Sequence, residues 1–183
     1  MDIEKMLEKC ILCPRKCGVN RTNGSTGACH TGEKVRVSRA ALHMWEEPCI
    51  SGENGSGAVF FSGCALGCCF CQNKDISRGR AGKEISIERL CNIFFELMDK
   101  GANNINLVTP SHYVLQIREA LFQAKKKGLT VPVVYNCGGY ESVEALQALD
   151  GLIDIYLTDF KYMDSSLAKV YSRAEDYPET AKR

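Results

Sequence analysis

Downstream of Ala58, short apolar runs alternate with segments of helical spacing, and this alternation restricts the fold more than anything else in the chain. Ala58-Val59-Phe60-Phe61 is an apolar run cut off by Ser62-Gly63, as a buried strand would be. Ser86 stands where a helix cap belongs, ahead of apolar residues at Ile87, Leu90, Cys91, Phe94, Leu97 and Met98, and Gly101 supplies the stop. The pattern repeats as a strand over 104–108, a helix from Ser111 to Gly128, a strand over 131–135, and a helix marked by Val143, Leu146 and Leu149. A last strand over 153–157 is followed by a helix from Asp164 to Tyr171. Such alternation predicts an α/β chain of about four parallel strand–helix units joined by right-handed crossovers. In sheets of this kind, ligands bind beyond the carboxyl ends of the strands.

Upstream the texture changes. Residues 1–57 form a Cys-rich segment and linker, with one candidate strand over 35–38; residues 58–183 form the core. Eleven of the 183 residues are cysteine, at 10, 13, 17, 29, 49, 64, 68, 69, 71, 91 and 137. An odd count at tight spacings argues for metal binding over a disulfide framework. Cys91 and Cys137 fall on apolar faces and read as small core hydrophobes. A net charge of +1 gives no electrostatic case for a nucleic-acid or membrane partner. No apolar run approaches the roughly 20 residues of a membrane span, and the charged start Met1-Asp2-Ile3-Glu4-Lys5 has no signal-peptide core. The expected compartment is cytoplasmic.

The chemistry concentrates at Cys64-Ala65-Leu66-Gly67-Cys68-Cys69-Phe70-Cys71. Cys64, Cys68 and Cys71 give C-x3-C-x2-C in one tight loop after the first core strand. Thiolates are the usual ligands of iron–sulfur clusters, and three of them leave one iron of a four-iron cluster open for chemistry. The same thiolates could hold zinc. Cys69 points away from its neighbours and reads as a packing residue. This spacing, with an aromatic residue before the last cysteine, resembles the signature of the radical S-adenosylmethionine (SAM) superfamily. Gly63 through Asn73 further resembles the activating enzymes of glycyl radical enzymes, especially pyruvate formate-lyase activating enzyme-like proteins. Trp45-Glu46-Glu47-Pro48, Asn104-Ile105-Asn106-Leu107-Val108-Thr109-Pro110 and Asp154-Ile155-Tyr156-Leu157 are similar to one branch of that group.

The resemblance implies a partial (β/α) radical SAM barrel with a [4Fe-4S] cluster on Cys64, Cys68 and Cys71. It implies SAM as cofactor, with Phe70 by the adenine and Asp159-Phe160-Lys161 in the place of an Asp-Leu-Lys segment that meets SAM. Thr109-Pro110-Ser111-His112 replaces the usual Gly-Gly-Glu, which leaves Thr109, Ser111 and His112 as candidates for the SAM amino group and Asn136 as a further one. Ser111 is equally well placed to cap the next helix. The implied partners are a reducing electron donor of flavodoxin or ferredoxin type and a glycyl radical protein as substrate. Hydrogen abstraction from a small molecule is the alternative, and a metal-stapled interaction protein without turnover is another class. Cys10-x2-Cys13-x3-Cys17-x11-Cys29 is a candidate second site, for zinc or a second iron–sulfur cluster. Four strands do not close a barrel, and radical SAM cores have six units. The expectation is therefore a fragment, a truncated product, or a barrel completed by a second chain. The last strand should be apolar enough to be covered on both faces, and its outer edge should be open.

Overall fold

The computed structural model describes residues 3–183. Its strands are β1 (Val35–His43), β2 (Ser56–Phe61), β3 (Lys83–Ile85), β4 (Ile105–Val108), β5 (Val133–Cys137) and β6 (Ile155–Thr158). Its helices are α1 (Ile3–Glu8), α2 (Pro48–Ser51), α3 (Lys74–Ser77), α4 (Ile87–Asp99), α5 (Val114–Lys126), α6 (Val143–Gln147), α7 (Ser165–Ser172) and α8 (Tyr177–Lys182). The strands form one open sheet in the order β3-β1-β2-β4-β5-β6. The four core strands expected from the sequence are present and parallel, with Gly57 opposite Ile105, Ile105 opposite Val133, and Val134 opposite Ile155. The sheet as a whole is mixed: β1 runs antiparallel to both β2 and β3. β1 is also much longer than the 35–38 segment expected, since all of it except Ser38, at a bulge, pairs with one neighbour or the other.

Alternation along the parallel strands sorts the two faces. Val59, Phe61, Ile105, Leu107, Val133 and Tyr135 pack against Leu90, Phe94 and Leu97 of α4 and Ile117 and Leu121 of α5 in one apolar core. α4 forms where its spacing put it, and Ser86 Oγ caps it by accepting the Arg89 N–H at 3.0 Å. Asp164 caps α7 in the same way through the Leu167 N–H at 3.0 Å. Ser111 does not cap: it lies in a 3-10 turn, Ser111–Tyr113, that precedes α5, and its hydroxyl donates to Glu141 instead. Cys91 and Cys137 are buried as expected.

β6 is the open edge strand expected, paired with β5 alone among the described residues, but it is not covered on both faces: Ile155 and Tyr156, which point to opposite faces, are 38% and 48% exposed. The Cys-rich segment is pinned to the core. Leu7, Cys10 and Leu12 pack on Leu115, and the buried Arg21 guanidinium donates to the Gly32 carbonyl at 2.9 Å and the His112 carbonyl at 2.7 Å. Among the described residues no helix is long and apolar enough to cross a membrane.

Candidate functional site

The carboxyl ends of the four parallel strands open into one cleft of about 570 Å³. The loop after β2 brings Cys64, Cys68, Phe70 and Cys71 to it; the loop after β4 brings Thr109 and Ser111; β5 brings Asn136; and the loop after β6 brings Asp159 and Lys161. These nine residues, singled out from four separate stretches of sequence, line the same cleft.

The cysteine loop starts from Gly63, whose φ of +88° is a left-handed conformation and whose missing Cβ lets the Cys29 carbonyl approach. Gly67, at φ +60°, turns the chain between Cys64 and Cys68. The Gly67 N–H donates to Cys64 Sγ at 3.4 Å. Burial pushes the Cys64 thiol up; the N–H groups of Gly67 and Leu66 act against this, and the nearby Cys68 and Cys71 sulfurs add to it. Cys68 is buried and Cys71 half-buried, whereas Cys69 is exposed to solvent. Cys69 is thus not a packing residue. Its backbone N–H is tied to the Tyr171 carbonyl at 2.9 Å. Phe70 is 60% exposed at the rim, edge-on to Tyr162 and Tyr171.

Across the cleft, Lys161 Nζ meets Asp159 Oδ2 at 2.6 Å. Burial disfavours the ammonium, but the Asp159 carboxylate outweighs it and the pKa is raised, so Lys161 stays charged. Tyr177 holds this wall: its hydroxyl accepts the Lys161 N–H at 2.7 Å and donates to the Gly138 carbonyl at 2.8 Å.

His112 does not belong to the cleft. It is buried, Nε2 donates to the Ser62 carbonyl at 2.7 Å, and burial pushes its pKa down to about 3. It is a neutral structural residue, and its candidacy for the SAM amino group falls. Two carboxylates escaped the sequence reading. Glu46 reaches over the inner face of the sheet, where Asn106 Nδ2 and Asn136 Nδ2 both donate to its Oε2, at 2.9 and 3.2 Å. Glu141 is buried in the cleft wall, where it accepts from the Ser111 hydroxyl and, at 2.8 Å, from the Tyr135 hydroxyl. Burial raises its pKa. A polar Asn at an inward position of each of two apolar strands was the available signal for Glu46; Glu141 sits in the short link between the Gly138-Gly139 pair and α6 and gave none.

The N-terminal cysteines lie outside the cleft. Cys10, Cys13 and Cys29 are buried and Cys17 is exposed. Burial pushes the Cys13 thiol up to about 12, with the sulfurs of Cys29, Cys10 and Cys17 near enough to add to the shift. Cys13 also packs in one apolar cluster with Cys68, Leu66 and Tyr177. Among the described residues, no group of three or more His, Cys, Asp or Glu side chains is gathered around a point that one metal ion could occupy.

No family model matches the chain. It is 31% identical, over 189 aligned positions, to a protein of Methanocaldococcus jannaschii described as uncharacterized. The alignment takes in 98% of this chain and 53% of that protein, so the chain spans about half the length of the curated relative it matches.

Proposed function

We propose that the chain is a cytoplasmic radical SAM enzyme of the activating type, with a [4Fe-4S] cluster on Cys64, Cys68 and Cys71. One observation carries the reading: the C-x3-C-x2-C loop lies at the carboxyl end of the first parallel strand, in the wall of a cleft it shares with Asp159, Lys161 and Asn136. The donor set fits such a cluster. Each thiolate of a four-iron cluster binds its own iron, so the sulfurs stand farther apart than the ligands of a single ion. A loop N–H already donates to Cys64 Sγ. Three thiolates would leave one iron of such a cluster without a protein ligand.

Held by Cys64, Cys68 and Cys71, a reduced cluster would supply the electron for reductive cleavage of bound SAM, the source of a hydrogen-abstracting 5′-deoxyadenosyl radical. The chain's own residues bind and shield. Lys161, charged and fixed by Asp159, suits the carboxylate of SAM. Phe70 offers an aromatic edge at the rim for the adenine. Thr109, Ser111 and Asn136 line the remaining wall as polar partners, and apolar Leu66 and Phe60 exclude water. The electron donor is of flavodoxin or ferredoxin type, and the substrate is a glycyl radical protein. A second reading, a small-molecule substrate, draws on Glu46 and Trp45 in the cleft wall, which give it a polar and aromatic end of small-molecule size. Cys10, Cys13, Cys17 and Cys29 belong to the proposal as a second site, for zinc or another cluster: the sulfurs of Cys10, Cys17 and Cys29 are near enough to act on the Cys13 thiol, but they are not gathered about one point, which favours a cluster over a single zinc ion.

Anaerobic reconstitution followed by iron and sulfide analysis tests the reading. About four irons and four sulfides bound at the central site, with dithionite-dependent release of 5′-deoxyadenosine from SAM, is the expected result. A colourless zinc protein that leaves SAM intact points instead to an interaction protein without turnover.

A further inference from the structure

Arg15, in the N-terminal Cys13-Pro14-Arg15-Lys16-Cys17 turn, has no place in the proposed chemistry, yet its guanidinium ties together two distant parts of the chain. Nε donates to the Ala65 carbonyl at 2.8 Å, and Nη2 to the Leu66 carbonyl at 3.2 Å and the Ser172 carbonyl at 2.6 Å. Nη1 donates to the Arg173 carbonyl. The group also lies over the Tyr140 ring, 5.3 Å from its centre. Two of the four carbonyls end α7, where a cation also suits the helix dipole. The other two sit inside the cysteine loop, between Cys64 and Cys68.

The geometry of the peptide unit turns this clamp into an effect on sulfur. None of the described peptide bonds is cis, and in a trans peptide the C=O and the next residue's N–H point in opposite directions. Holding the Ala65 and Leu66 oxygens toward Arg15 therefore turns the Leu66 and Gly67 N–H groups to the opposite side. Cys64 Sγ lies on that side: the Gly67 N–H donates to it at 3.4 Å, and the Leu66 N–H bears on the same sulfur. The next carbonyl, that of Gly67, is held at 3.0 Å by Arg78 Nη2, so three successive loop oxygens are anchored by arginine. A cation on the oxygen end of a peptide also strengthens hydrogen bonding at its N–H end.

We propose that Arg15 is a positioning residue that sets the reduction potential of the cluster, by holding the Ala65 and Leu66 carbonyls so that the Leu66 and Gly67 N–H groups face Cys64 Sγ. The inference rests on the iron–sulfur reading of Cys64, Cys68 and Cys71. Hydrogen bonds to ligand sulfur stabilise the reduced, more negative cluster and raise its potential. Guanidinium can bridge several carbonyls at once; an ammonium is a point charge that cannot reproduce the fork.

The test uses the full chain, reconstituted anaerobically, as wild type, Arg15→Gln and Arg15→Lys. Iron content, midpoint potential by titration followed with electron paramagnetic resonance, and Fe–S stretching frequencies in H2O and D2O are measured. The expected result is full iron loading, a more negative potential in both variants, and a deuterium shift of the Fe–S stretches that is present in wild type and diminished in both. Wild-type potential in Arg15→Lys with a shift only in Arg15→Gln would overturn the proposal, since charge alone would then account for the effect. Unchanged potentials in both variants overturn it as well. If neither variant takes up iron, the wild-type spectra decide: a deuterium shift supports N–H···S bonding at the cluster, and its absence overturns it. Failure of the wild type itself to bind iron refutes the cluster reading, which is a separate outcome.

Discussion

Tyr177→Phe removes one oxygen atom from a fully buried ring and tests whether the cleft wall is held as described. The ring itself is kept against Tyr140, Phe160 and Tyr162, so no cavity larger than a hydroxyl is made. What is lost is the junction between the loops after β5 and β6: the hydroxyl accepts the Lys161 N–H at 2.7 Å and donates to the Gly138 carbonyl at 2.8 Å, with the Asp159 carbonyl 3.1 Å away. Two hydrogen bonds at roughly 1 kcal/mol net each give a loss of about 2 kcal/mol, rising toward about 3 kcal/mol if the Lys161 N–H is left without a partner. For a chain of this size, 2 kcal/mol corresponds to a drop in Tm of about 4–8 °C. Urea unfolding of the metal-free protein should show a lower midpoint with an unchanged slope. A loss below about 0.5 kcal/mol would mean that water replaces the hydroxyl at little cost, and the argument that Tyr177 fixes Asp159 and Lys161 would fail.

The remaining predictions concern the cysteines, Lys161 and His112. Cys64→Ala, Cys68→Ala and Cys71→Ala should each abolish iron uptake at the central site while Cys69→Ala retains it; iron and sulfide retained in Cys68→Ala would sink the ligand assignment. Lys161→Ala should leave the cluster intact and weaken SAM binding by about 1–3 kcal/mol, the range for a lost hydrogen bond to a charged group, as read by calorimetry on reconstituted protein. His112 titrates near 6.5 when unfolded and near 3 when folded. As pH falls through that window the unfolded chain takes up a proton that the folded chain refuses, so stability is lost toward acid. Relative to His112→Gln, the wild type should lose up to about 1.4 kcal/mol per pH unit between those values; parallel pH profiles for the two proteins would show that His112 is not the buried neutral group described.

The parallel half of the sheet could be read in advance because each of its elements carries its own local signal. Strands β2 and β4 are dense apolar runs, and α4 and α7 begin at Ser86 and Asp164, whose side chains can satisfy a helix N–H without tertiary help. Topology then followed from chirality, and topology put the cysteine loop, Thr109, Asn136 and Lys161 at one end of the sheet. Local signal failed where the partner was distant. Ser111 sits as well for a cap as for a cleft residue, and only the approach of Glu141 decides between them. β3, Lys83-Glu84-Ile85, is polar and short, and it is a strand because β1 offers it an edge.

The sequence by itself determined the order of the four parallel strands and their helices, the caps at Ser86 and Asp164 and the cysteine spacing, because these depend on contacts a few residues apart. Tertiary structure alone decided the rest: that Glu46 is bound by Asn106 and Asn136, that His112 is neutral and buried, and that Arg15 clamps the cysteine loop to the end of α7. Each of these joins residues far apart in the chain through groups whose protonation or direction depends on burial. Burial depends on the packed whole and is not encoded in any short stretch of residues.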